Sequence, residues 1–158
     1  MSKGLGITAV GAALVASALL IPVAAADGHS SDGEDGDGRT LRFDVEFSPT
    51  SYTDLGDPGF SPADVIVFDD KLLQDGEQVG HQVGGCVLVG TTDVANCTGV
   101  VTVDGRGTIT FAFENSQAPE KALAITGGTD EFRTAGGEGT LVEAGDDTGT
   151  LTLSVDRR

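Results

Sequence analysis

The sequence predicts an all-β domain, an eight-stranded antiparallel up-and-down β-barrel behind an export segment. Three observations carry this. From residue 41 onward apolar side chains recur at every second position, the spacing of a half-buried strand. No window of that region repeats them at the three-four spacing of a helix over more than two turns. Turn-forming pairs such as Asp75-Gly76 and Asp104-Gly105 separate the runs at short intervals, and strands joined by short turns make an antiparallel meander.

Residues 1–26 are built differently. Lys3 precedes an apolar run over 5–21, and the small residues of "VAAAD" close it, the order of a secretory signal cut after Ala26. A retained anchor is the alternative, because the run is nearly long enough to span a bilayer; Pro22 and the alanine-rich end argue against it, so no stable membrane anchor is expected after cleavage. Removal leaves roughly 130 residues, one domain with a single core. Residues 27–40, "DGHSSDGEDGDGRT", contain nothing that could anchor a core, so they are expected to be a disordered acidic, glycine-rich leader. Their acids lack the ligand spacing of a calcium loop. The barrel then occupies residues 41–158. A formal net charge of −16 repels phosphate backbones and anionic membrane faces, which argues against nucleic acid as a partner.

The first strand is "LRFDVEF", with Leu41, Phe43, Val45 and Phe47 alternating with Arg42, Asp44 and Glu46. The second, "ADVIVFDDKL", is β-branched and aromatic and ends at Asp75-Gly76, a pair suited to a positive-φ turn. The third, "QVGHQVGGCVLVG", sets Val79, His81 and Val83 on one face and Gly80, Gln82, Gly84, Cys86 and Leu88 on the other; its glycines imply close approach by neighbours. Strands four and five flank Asp104-Gly105 and Gly107 within "CTGVVTVDGRGTITFAFE". "KALAIT", "FRTAGGEGTLVEA" and "TLTLSV" complete the eight, a number that closes a sheet and removes its edges. An immunoglobulin-like sandwich would want distant cysteines around a tryptophan, and the chain has no Trp. A lipocalin is nearer in architecture but also lacks its usual tryptophan here.

The two cysteines, Cys86 and Cys97, fall on adjacent antiparallel strands. If they lie opposite each other, Leu88 faces Ala95 and Gly90 faces Asp93, with the tip at Thr91-Thr92. Export to an oxidising compartment favours a disulfide; a reactive or metal-binding thiol pair would need a reducing compartment or further ligands. A bridge closing so short a loop contributes about 3 kcal/mol in the chain-entropy account.

"VIVFDDKL", "QVGHQVGGCVLVG" and "KALAITGGTDEFRTAGGEGTL" resemble, in order and spacing, the allene oxide cyclase and dirigent barrel superfamily, in particular its bacterial allene-oxide-cyclase-barrel-like members. The resemblance spans about residues 41–155. It implies an eight-stranded antiparallel barrel, dimeric or trimeric as a homo-oligomer, around a mostly apolar cavity that acts by restricting the conformers of a bound molecule. It also implies candidate catalytic carboxylates at Asp44 and Glu46 on the first strand and at Asp70 before the "KL" of the second. The family's strand cysteine corresponds to Cys86, which Cys97 would capture, and a turn glycine after "ITGG" is replaced by Asp130, which can take the left-handed conformation.

Alternation and resemblance disagree over Asp44 and Glu46. Period two puts Phe43, Val45 and Phe47 inside and both acids in water, whereas the family alignment turns the acids inward, where burial and mutual repulsion would raise a pKa. Tyr52 lies in the long "SPTSYTDLGDPGFSP" connection, which either forms a lid bearing a substrate-binding tyrosine or simply covers one barrel end. Phe68, Phe111 and Phe113 are the other candidate substrate-binding residues, with core packing as the alternative for each, as for Phe60 and Phe132. The chain shows no metal-ligand cluster, phosphate loop or nucleophile elbow, so no metal or cofactor is expected. The expected function is a secreted barrel that binds an apolar small molecule and steers its isomerisation or cyclisation. A non-catalytic carrier and a structural barrel filled by its own side chains are the alternatives, separated by cavity size and by inward polar groups.

Overall fold

A computed structural model describes residues 38–90 and 94–157. The export segment 1–26, the leader up to residue 37 and the loop tip 91–93 lie outside the described residues. The strands are β1 (Arg39–Glu46), β2 (Ser51–Thr53), β3 (Val65–Gln74), β4 (Glu77–Leu88), β5 (Ala95–Val103), β6 (Gly107–Asn115), β7 (Glu120–Gly128), β8 (Ala135–Glu143) and β9 (Thr148–Arg157). Every ladder is antiparallel, in the order β1-β9-β8-β7-β6-β5-β4-β3-β2, and a β1–β3 pairing closes the cylinder. Eight long strands thus make the barrel, and β2 is a ninth, short addition.

The closing seam is brief. Only Asp44↔Leu73, Val45↔Leu72 and Glu46↔Lys71 join β1 to β3. Beyond them the chain leaves the ladder over residues 47–50 and returns as β2, pairing Ser51–Thr53 with Val67, Ile66 and Val65. The sequence placed β2 inside a long loop; it is a strand because β1 leaves that stretch of the β3 edge free, and unpaired edges are filled where chain is at hand. Two further boundaries differ. β1 begins at Arg39, two residues before the expected start, and Phe132 belongs to a 3-10 turn (Asp130–Phe132) ahead of β8 rather than to the strand.

Alternation decides what is inside. Leu41, Phe43 and Val45 of β1, Leu151, Leu153 and Val155 of β9 and Leu123 and Ile125 of β7 are buried, while their sequence neighbours face out. One end is sealed: Phe132 is 3 % exposed, and Arg39 and Arg106 lie over its ring at 5.5 and 5.3 Å. Both arginines pair with Glu131, at 2.5 and 2.8 Å. Asp75 (φ 53°) and Gly76 (φ 80°) both occupy the left-handed region at the β3–β4 turn, and Asp130 (φ 50°) does so where the resemblance expected a glycine.

Glycines on β4 and β5 make room for rings. A Cβ on Gly84 would meet the Thr98 carbonyl oxygen at 2.4 Å and Phe68 Cζ at 2.5 Å, and one on Gly99 would meet Phe111 Cζ at 2.4 Å. Phe68 and Phe111 therefore bring their ring tips against the glycine backbone, and both rings line the space at the other barrel end.

Candidate functional site

At that open end, between the seam and β6, lies a pocket of about 150 Å³. Phe47, Ile66, Phe68, Phe111, Phe113 and Leu141 form its apolar wall, with the Cys86 side of the disulfide. Phe111 and Phe113 approach with ring centroids 5.9 Å apart. Ser48, Thr50, Asp70, Gln82, Asn115 and Glu143 supply the polar groups. A separate groove of about 180 Å³ shares Ile66 and Asn115 with the pocket.

Asp70 is the buried anion of this pocket, at 4 % exposure. The break between β1 and β2 creates its surroundings. Ser48, the second residue of the break, donates its backbone N–H (2.8 Å) and its hydroxyl (3.1 Å) to Asp70 Oδ1. Its oxygen in turn accepts the Asp69 N–H at 3.2 Å. From β4, the cross-strand partner Gln82 donates Nε2 to Asp70 Oδ2 at 2.9 Å. An amide on β4 and a serine in the break between β1 and β2 thus hold the carboxylate in one orientation.

Across the mouth stands a second polar group that sequence reasoning missed. Lys121 points inward from β7 with its side chain only 1 % exposed, in phase with Leu123 and Ile125. Its Nζ donates to the Ala118 carbonyl and to Glu143 Oε2, the latter at 3.1 Å. Glu143 is the pocket-lining member of this pair. The signal was present in "KALAIT", where period two makes Lys121 an interior residue.

The disulfide Cys86–Cys97 joins directly opposed residues of β4 and β5, with Val87↔Asn96 and Leu88↔Ala95 following in register. Both half-cystines are buried, so the bridge is a wall of the site as well as a staple.

The other expected site residues stand elsewhere. Asp44 and Glu46 are exposed on the outer wall, as alternation requires, and not in the cavity where the resemblance would put them; β1 spends its inward positions on Leu41, Phe43 and Val45. Glu46 pairs there with Lys71 at 3.1 Å. Tyr52 is not a pocket wall. Its hydroxyl donates to Asp64 Oδ2 at 2.6 Å, and its ring stacks on Phe60 at 4.8 Å. Phe60 is itself 61 % exposed rather than core. Asp64, fully buried, also accepts from the Leu55, Gly56 and Ser61 N–H groups and from the Ser61 hydroxyl. The Tyr52 hydroxyl, followed by these backbone donors, pulls the Asp64 carboxyl down to about 2, and the same hydrogen bond to Asp64 pushes the Tyr52 phenol up to about 12. This carboxylate therefore organises the loop over residues 54–64 beside the mouth. Among the described residues no three His, Cys, Asp or Glu side chains gather in a metal-binding group.

No protein-family model matches the chain, and no curated protein sequence matches it. Solved structures do. A pyocyanin demethylase superposes with a TM-score of 0.66 at 28% identity, covering 74% of this chain and 99% of its own. A pterocarpan synthase dirigent protein gives 0.56 at 19% identity over 75% of this chain and 85% of its own. A Diels-Alderase from Streptomyces koyangensis gives 0.64 at 14% identity over 77% and 65%. The closed cylinder and these superpositions agree: the chain has the closed antiparallel barrel fold that these solved structures share.

Proposed function

We propose that this protein is an exported barrel that takes a small, largely apolar molecule into the pocket at its open end and steers its conversion. Asp70 is the polar group against which the molecule is oriented. The carrying observation is a buried carboxylate, held by Ser48 and Gln82, facing a wall of four phenylalanines. A barrel filled for stability alone would place apolar groups there, because a buried charge is costly without a partner. The wall confines the molecule, and Asp70 either accepts a hydrogen bond from it or takes a proton, while confinement lowers the barrier by prior orientation. That the structurally similar proteins include a demethylase, a dirigent protein and a Diels-Alderase supports conversion over storage. Export is supported by the signal-like pattern of residues 1–26 and by the Cys86–Cys97 bridge.

One observation favours a structural barrel filled by its own side chains: at about 150 Å³ the pocket is smaller than the roughly 300 Å³ at which ligand sites usually begin. Native mass spectrometry of protein recovered from its own culture medium tests both readings. A co-purifying organic molecule returned chemically changed supports conversion, one returned unchanged reduces the proposal to carriage, and bare chain in every preparation supports the filled barrel and overturns the proposal.

A further inference from the structure

We infer that the ligand of the mouth pocket is an organic cation, a single ring bearing a positive charge, with Asp70 as its counter-ion; this rests on the small-molecule reading above and narrows its substrate class. The donors that hold Asp70, the Ser48 N–H and hydroxyl and the Gln82 amide, are all neutral. They orient the carboxylate without cancelling its charge, and buried charges are ordinarily paired. Among the described residues the ion pairs join Arg39 and Arg106 to Glu131, Lys71 to Glu46 and Lys121 to Glu143; none reaches Asp70. The buried cation Lys121 is already engaged by Glu143 and the Ala118 carbonyl. The second carboxylate of the pocket is thus matched, and Asp70 is left as its uncompensated charge.

What faces that charge is aromatic. Phe47, Phe68, Phe111 and Phe113 line the same space, and phenyl faces attract cations. A neutral ligand would leave the Asp70 charge buried and unmatched, and an anion would add to it. The formal net charge of −16 also raises the local concentration of cations at the mouth.

The probes are N-methylpyridinium and toluene, which share shape and size and differ in charge; a dry cavity of this volume accepts one ring. Affinities are read by proton NMR titration at fixed ionic strength. N-methylpyridinium is expected to bind at least about fivefold more tightly than toluene. Asp70→Asn, which keeps the side-chain shape, should abolish that preference and leave toluene binding intact. Glu46→Gln, which removes the same charge from the outer wall, should leave the preference unchanged. Equal affinities, or equal loss of preference in the two variants, overturn the cation proposal alone. Failure of both probes to bind overturns the small-molecule reading with it. Should Asp70→Asn not fold, the side-chain amide of Gln82 in the wild-type protein decides: it must shift on adding N-methylpyridinium, and a static signal overturns the proposal.

Discussion

Gly99 and Gly84 offer a matched pair of perturbations, because a methyl at each would meet a pocket ring but only at Gly84 are backbone atoms among the three nearest. A methyl at Gly99 would sit 2.4 Å from Phe111 Cζ and 2.9 and 3.0 Å from its neighbouring ring carbons, and nothing else comes as near. Ordinary carbon contacts begin near 3.5 Å, so the ring must retreat by about 1 Å. Room for that exists on the pocket side. A methyl at Gly84 would instead meet the Thr98 carbonyl oxygen at 2.4 Å and Gly99 Cα at 2.9 Å, as well as Phe68 Cζ at 2.5 Å. The first two belong to the backbone of β5, which is paired along its length with β6 and cannot withdraw without shifting the ladder. Gly84→Ala is therefore expected to cost about 3 kcal/mol and Gly99→Ala about 1 kcal/mol, the upper and lower ends of the usual overpacking range. The loss of unfolded-state freedom on replacing glycine offsets part of each. Function should divide the other way. The displaced Phe111 ring takes at least a methyl group's volume from a pocket of about 150 Å³, and Gly99→Ala should weaken toluene binding about tenfold. Urea denaturation and NMR titration measure the two effects. A Gly99→Ala protein that is the less stable of the two, or that binds toluene like the wild type, would refute the placement of Phe111 between strand and cavity.

Reducing the Cys86–Cys97 bridge without changing the sequence should lower the stability measured in urea by about 3 kcal/mol; an unchanged midpoint would show that the staple constrains nothing. Tyr52 is the only tyrosine and the chain has no tryptophan, so phenolate absorbance reports this residue alone. Its midpoint is expected at about 12, and a midpoint near the ordinary phenol value of about 10 would sink the Tyr52–Asp64 hydrogen bond. The same bond makes the loop sensitive at both pH extremes. Because the Asp64 value is lowered to about 2, its stabilisation is complete above the ordinary carboxyl value near 4 and is lost as pH falls towards 2. Because the Tyr52 value is raised, its share is complete below about 10 and lost as pH rises through 12; the protection of the Leu55 and Ser61 amides against hydrogen exchange, relative to the intrinsic rate at each pH, should fall in both windows. Glu143→Gln leaves the Lys121 charge buried with neutral acceptors only, the Ala118 carbonyl and the new amide oxygen. With Glu143 itself 42% exposed, the expected cost is about 1–2 kcal/mol in urea denaturation, below that of breaking a fully buried pair.

Period two made much of this architecture readable. It put Asp44 and Glu46 in water against the family alignment, opposed Cys86 to Cys97 and Leu88 to Ala95, and marked β4 as a strand whose glycines imply close approach by neighbours. Phe68, Phe111 and Phe113 were named as candidate ligand contacts and do line the pocket. The same rule, applied to residues that break the apolar expectation, would have found more: Lys121 shares its phase with Leu123 and Ile125, Glu143 with Leu141, and Gln82 with Cys86. An inward polar residue looks like noise in a hydrophobic pattern, although at a barrel mouth it is where function is built. Asp64 had no such signal. Its donors are the Tyr52 hydroxyl on the short β2 and groups of the irregular stretch from Leu55 to Ser61, and no periodicity relates them. For Tyr52 the length of the connection suggested either a lid or a cover over one barrel end; its hydroxyl is held by Asp64.

The position of Asp70 follows from the way the barrel closes. Three residue pairs join β1 to β3, and the ladder then stops, so the first donors past the seam need acceptors other than β3 carbonyls. Asp70 supplies one: the Ser48 N–H that would continue a ladder is bound by its side chain instead. The interruption opens the wall next to Phe47, Ser48 and Thr50, all of which line the pocket, and the residue that repairs the break is the one left facing the cavity. Closure and chemistry are therefore coupled at a single carboxylate. Asp70→Ala should both loosen the seam and remove the charge, whereas Asp70→Asn keeps an acceptor oxygen for Ser48 and separates the two effects. If Asp70→Asn were as destabilised as Asp70→Ala in urea, the negative charge itself, and not the hydrogen bond to Ser48, would be what holds β1 and β2 to β3.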